Sequence, residues 1–151
     1  TASIFIPKLQ KMVNKPILGI INETVKHIVT YHPNIKKVGI MGTYQTIKLG
    51  LYQSQLIELG YQPVVLSKEK LLKFVVEATH GKHGVKAGYY DKPKKLLVKA
   101  CKLYRDIGAE VIIMGCTEIP VALRQEDVDI PLINPTKILA QSAVDFALST
   151  T

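Results

Sequence analysis

Cys101 and Cys116 are the two thiols of this chain, and their neighbours set them apart. Cys116 follows the apolar run Val111-Ile112-Ile113-Met114 and a glycine, and precedes Thr117-Glu118-Ile119-Pro120. That order reads as a buried strand, a turn and a helix start. Backbone N–H groups and the helix dipole at such a junction favour a thiolate. Cys116 has two readings from its place alone: a reactive thiol of lowered pKa, or a small buried hydrophobe that does no chemistry. Cys101 flanks the apolar stripe of a helical stretch, where a thiol acts as a small hydrophobe, and is predicted to be structural. Glu118 sits where the start of a helix favours an acid regardless of chemistry.

A second polar turn follows the run Val38-Gly39-Ile40-Met41, where Gly42 and Thr43 lead into Tyr44-Gln45-Thr46. Between the two turns lies a loop over 80–90 punctuated by Gly81, Gly84 and Gly88, carrying Lys86 and the pair His80 and His83. Two histidines without a third ligand predict no metal site. A lone loop lysine ordinarily faces solvent. No G-x-x-x-x-G-K-[ST] or G-x-G-x-x-G phosphate loop is present.

These residues need a frame, and the pattern supplies one. Helices are predicted over 3–13, over 23–31 with Asn22 as cap, over 45–59 stopped by Gly60, over 68–78, over 92–107 ending at Gly108, from 117 to 120 onward, and over 136–148. Strands are predicted over 16–20, 37–41, 63–66, 110–115 and 131–133. Alternation of this kind predicts an α/β fold with a parallel sheet covered by helices on both faces. In such sheets ligands bind at the carboxyl ends of strands, so both turns should face one crevice.

With 151 residues, 47% of them hydrophobic, the chain can bury a core. No apolar run approaches the roughly 20 residues that cross a bilayer, and no targeting leader is visible. Two cysteines make no disulfide framework and suit a reducing compartment, so a cytoplasmic location is expected. Of the 20 basic residues behind the net charge of +8, the arginines are Arg105 and Arg124 alone. The densest group is Lys92, Lys94, Lys95, Lys99, Lys102 and Arg105, mostly opposite the apolar stripe of its helix. This is read as a solvated face, with neither nucleic acid nor membrane expected as partner.

The run Gly115-Cys116-Thr117-Glu118-Ile119-Pro120 resembles the second catalytic-cysteine motif of the aspartate/glutamate racemase family. Gly39 to Thr46, followed by Tyr52, resembles that family's Thr-x-x-Thr turn and its following helix. Val85-Lys86-Ala87-Gly88 is similar to its Ile-Lys-Ala-Gly segment, and Pro131 to Thr136 to its closing strand and turn. Thr1-Ala2 looks like the second half of a first motif, Cys-Asn-Thr-Ala, whose cysteine would stand just before residue 1.

The resemblance implies a cofactor-independent racemase, without pyridoxal phosphate, that interconverts L- and D-aspartate or glutamate. One thiol would take the α-proton while another returns a proton on the opposite face. It further implies that Thr1, Thr43, Thr46 and Thr117 hold the α-amino and α-carboxylate groups. Lys86 would pair with the distal carboxylate, and Glu118 would stand behind Cys116. Two similar domains are expected in the intact protein. Residues 21–129 would be the complete second one, and 1–20 with 130–151 the remainder of the first. The expected partners are an acidic amino acid, the upstream segment of the same protein and, as a homodimer, a second copy. The rival readings are a one-thiol decarboxylase or isomerase of the same superfamily and a non-catalytic amino-acid-binding domain.

Overall fold

The computed structural model describes residues 2–149; Thr1, expected to bind substrate, lies outside them. Four parallel strands form one sheet in the order β2-β1-β3-β4: β1 (Lys37–Met41), β2 (Gln62–Val64), β3 (Val111–Met114) and β4 (Leu132–Ile133). The expected α/β class with a parallel sheet between helical layers is what the chain adopts.

Period-two alternation divides the core. Val38 and Ile40 of β1 and Val111 and Ile113 of β3 point to one face, with Ile21, Val25 and Ile28 of α2 (Ile20–Tyr31) and Leu56 of α4 (Gln53–Glu58). Met41, Ile112 and Met114 point to the other. There they meet Leu71, Val75 and Ala78, and Leu97, Ala100, Cys101 and Tyr104 of α7 (Asp91–Asp106). The central strands β1 and β3 are covered on both sides, as parallel strands between helical layers are.

α7 is amphipathic, as its spacing predicts. Its basic residues are exposed, and three of them pair with acids: Lys92 with Glu77 at 3.2 Å, Lys94 with Asp127, and Arg105 with Asp129 at 3.6 Å.

Several elements depart from expectation. No strand forms over 16–20; α2 begins at Ile20 with Gly19 as its cap, and Asn22 accepts a hydrogen bond from Gln55 instead of capping. The helix expected over 45–59 is two, α3 (Tyr44–Lys48) and α4, separated where Gly50 takes φ 63°. Between 68 and 80, α5 (Lys68–Lys70) runs through a π turn (Leu71–Val76) into α6 (Glu77–His80). The strand at 131–133, allotted to the first domain, pairs in register with β3 (Ile112 with Leu132, Ile113 with Ile133). It therefore lies in the same sheet as β1 and β2. The last helix, α9 (Pro135–Ser149), packs along α2. Among the described residues no helix is long and apolar enough to cross a membrane.

Candidate active site

The carboxyl ends of the central strands meet. Gly115 N–H donates to Met41 O at 2.7 Å, tying the turn after β3 to the end of β1. A Cβ on Gly115 would stand 3.3 Å from that same oxygen and 3.4 Å from the Tyr52 ring, so glycine permits the approach. On the β1 side Thr43 caps α3: its hydroxyl accepts from Thr46 N–H at 3.3 Å and lies 3.0 Å from the Thr46 hydroxyl.

These turns border a cavity of about 120 Å³ whose polar lining includes Thr46, Tyr52, Cys116, Thr117 and Thr136. Thr46, Cys116 and Thr117 are thus brought to one place, and Thr43 reaches it through the hydroxyl of Thr46. A larger hollow of about 650 Å³ between α2 and α9 contains none of the expected site residues. Its size does not make it the centre of the chemistry.

Beside the cavity Cys116 Sγ donates to Glu118 Oε2 at 2.8 Å, and Thr117 Oγ1 donates to the same oxygen at 3.2 Å. Lys86 Nζ stands 3.7 Å from Glu118 Oε1. A left-handed Gly88 ends the short 3₁₀ turn Val85–Ala87 that carries this lysine. The polar groups form a chain, Lys86 to Glu118 to Cys116. Lys86 keeps half of its side-chain surface open to solvent.

The protonation states follow from these contacts. The Cys116 thiol is pushed up to about 12 by burial, then by the hydrogen bond it donates to Glu118 and by that carboxylate's charge. This corrects the expectation of a lowered pKa. The helix after Cys116, α8, spans Ile119–Ala122 and starts too late and too short to outweigh desolvation and a carboxylate at hydrogen-bond distance. For Glu118, burial opposes ionisation. Hydrogen bonds from Cys116, its own backbone and Thr117, with the charge of Lys86, outweigh it and hold the carboxyl below its ordinary range. The resting pair is a neutral thiol donating to a carboxylate.

Cys101 is 1% exposed, with its thiol pushed up to about 12 by burial alone. It sits in the core as expected. Two residues of the site carried less sequence signal. Tyr52 is buried against the cavity, its phenol pushed up to about 12 by burial despite a hydrogen bond with Thr24. His80 offers a ring nitrogen to a cluster with Cys116 Sγ and a Glu118 oxygen, all within 4.8 Å of one another. The separation of 36 residues between His80 and Cys116 hid that meeting from any local motif.

Comparison with known proteins shows the family. A family model described as Asp/Glu/Hydantoin racemase matches residues 1–143. The chain belongs to that racemase family. The broad specificity amino-acid racemase RacX of Bacillus subtilis (strain 168) is 28% identical over 99% of this chain and 62% of its own length. The glutamate racemase of Aquifex pyrophilus is 29% identical over 97% of this chain and 55% of its own. Among solved structures, an aspartate racemase homologue from Pyrococcus horikoshii OT3 superposes with a TM-score of 0.82 at 26% identity, covering 95% of this chain and 62% of that one. The chain thus spans about three-fifths of the length of these racemase relatives.

Proposed function

We propose that this chain supplies one of the two proton-transferring thiols of an acidic-amino-acid racemase, working without pyridoxal phosphate. The observation that carries the reading is the Cys116 thiol hydrogen-bonded to Glu118 at the edge of a cavity lined by Thr46 and Thr117. A thiol held protonated is the acid half of such a pair.

In the direction that starts from this state, a thiolate on the far side of the substrate takes the α-proton. The electron pair left behind is delocalised into the substrate carboxylate. Cys116 S–H then delivers its proton to the opposite face of the carbon, leaving Cys116 as thiolate and the other thiol protonated. The reverse passage starts from Cys116 as thiolate, which takes the α-proton while the far thiol returns one to the opposite face. Thr43, Thr46 and Thr117 hold the α-ammonium and α-carboxylate, a role that the resemblance extends to Thr1. Lys86 faces the distal carboxylate of aspartate or glutamate. Its contact with Glu118 keeps a cation near the site in the meantime.

Cys101 cannot be the second thiol, because it is enclosed in the core under α7. The reading therefore requires a thiol from outside these 151 residues. The same requirement supports a two-domain enzyme whose first domain is completed by further chain.

The test is α-proton exchange of L- and D-aspartate and glutamate in deuterium oxide, using protein that extends upstream through the first motif. Cys116→Ser should abolish interconversion of the enantiomers and exchange from the one whose α-proton Cys116 removes, and Cys101→Ser should retain both. Equal loss from both changes would remove the assignment, and release of carbon dioxide in place of exchange would make the enzyme a decarboxylase.

A further inference from the structure

His80, Cys116 and Glu118 offer a nitrogen, a sulfur and an oxygen within 4.8 Å of one another. That donor set is the one borderline-soft divalent ions take, zinc above all, with three protein ligands and a fourth tetrahedral position open. Metal–ligand bonds of about 2.0–2.3 Å place tetrahedral donors roughly 3.3–3.8 Å apart, so closure by about 1 Å would complete the site. His80 is exposed and followed by Gly81, which leaves room for that movement.

The histidine is also oriented for it. Thr79 is fully buried, and its hydroxyl donates to Val75 O at 2.8 Å, so its oxygen is left to accept from His80 Nδ1–H at 2.8 Å. This leaves the lone pair on Nε2. An outer partner that fixes the tautomer in this way is the usual companion of a metal-bound histidine. Glu118 is steadied from the other side by Lys86. His83, the other half of the His-x-x-His pair, stacks edge-on against Tyr89 at 5.0 Å between ring centres.

We propose that His80, Cys116 and Glu118 form a zinc-class divalent-metal site whose occupation caps the Cys116 thiol. On binding, the thiol proton is lost to solvent, a metal–sulfur bond forms and the ion gives up water; no electron changes hands. An occupied site has no thiol proton to transfer, so metal and proton-transfer chemistry at Cys116 exclude each other. The site rests on the cluster and not on the racemase reading.

The experiment is equilibrium titration of the full 151-residue chain with zinc, repeated with cobalt(II) to read thiolate-to-metal charge transfer in the near ultraviolet. One ion per chain is expected. Cys116→Ser should remove the charge-transfer band. His80→Gln and Glu118→Gln should each weaken binding by at least about tenfold, the lower end of what loss of even an outer-shell partner does. His83→Gln and Cys101→Ser should bind as the parent does, with circular dichroism confirming the fold of every variant. No stoichiometric binding, a band that survives Cys116→Ser, or a loss in His83→Gln equal to that in His80→Gln would overturn the site. Racemisation enters none of these readouts, so a failed exchange assay and a failed metal titration are separate results.

Discussion

Burial alone lifts Cys101 to about 12 from an ordinary 9.0, whereas at Cys116 burial is joined by a carboxylate that can be removed. A thiol that stays protonated in the fold and ionises when unfolded stabilises the fold below about pH 9. That contribution fades as pH rises towards 12, because the unfolded chain then binds fewer protons. Urea denaturation between pH 8 and 11 should show stability falling. Cys101→Ala should flatten the fall by about 1.4 kcal/mol per pH unit above pH 9; an unchanged slope would mean the thiol is accessible. At Cys116, Glu118→Gln leaves desolvation in place but removes the charge. The midpoint of its alkylation by iodoacetamide, followed by peptide mass spectrometry, should therefore move to lower pH, and a fixed midpoint would deny the coupling. On the proposed racemase reading, Lys86 bears on substrate choice. Lys86→Met should lower turnover of aspartate or glutamate by about 2–5 kcal/mol of binding, and that of a neutral amino acid far less. An unchanged preference would make it a loop lysine that happens to meet Glu118.

Two glycines decide how elements meet. Gly39, in the centre of β1, lets α7 close on the sheet: a Cβ there would stand 3.0 Å from Tyr104 Cδ1 and 3.2 Å from the Ala109 methyl. The same contact allows the Tyr104 hydroxyl to donate to Ile40 O. Gly39→Ala should cost about 1–3 kcal/mol, the range for overfilling a packed core. The urea midpoint measures it, and no shift would mean that α7 can retreat freely. Gly50, at φ 63° in the break between α3 and α4, meets nothing within 4 Å of a built Cβ. Gly50→Ala should therefore cost only backbone strain, about 1–2 kcal/mol.

Across the molecule, apolar surface is unevenly covered. Ile4, Phe5, Leu9 and Met12 near the start are exposed, Met12 by 72%, and so is Val144 on α9 by 53%. β2 and β4 are the outer strands of the sheet. A chain that leaves such surface open should associate as its concentration rises. Sedimentation of residues 1–151 should show this, and a monomer at every concentration would contradict it. Hydrogen exchange should be slowest in β1 and β3, and fast over 2–19, where no strand forms.

Much of this protein is written in local pattern. β1, β3 and α7 lie within a residue or so of where alternation and amphipathic spacing put them, because their side chains must satisfy burial over consecutive residues. The Gly-Cys-Thr-Glu-Ile-Pro run likewise identified the thiol and its neighbouring acid without reference to any contact. Long-range packing decided the rest. The strand expected at 16–20 found no neighbour to complete its hydrogen bonds, whereas the shorter 132–133 found β3. Spacing near Cys116 suggested an electropositive helix start. Its proton affinity was set instead by burial and by the direction of one carboxylate, and neither is a property of sequence spacing. His80 joined the thiol because α6 and the turn after β3 end side by side, while His83, three residues on, turned to Tyr89. A chain encodes its periodicities residue by residue, but which distant groups share a few ångströms is fixed only when the sheet and its helices close.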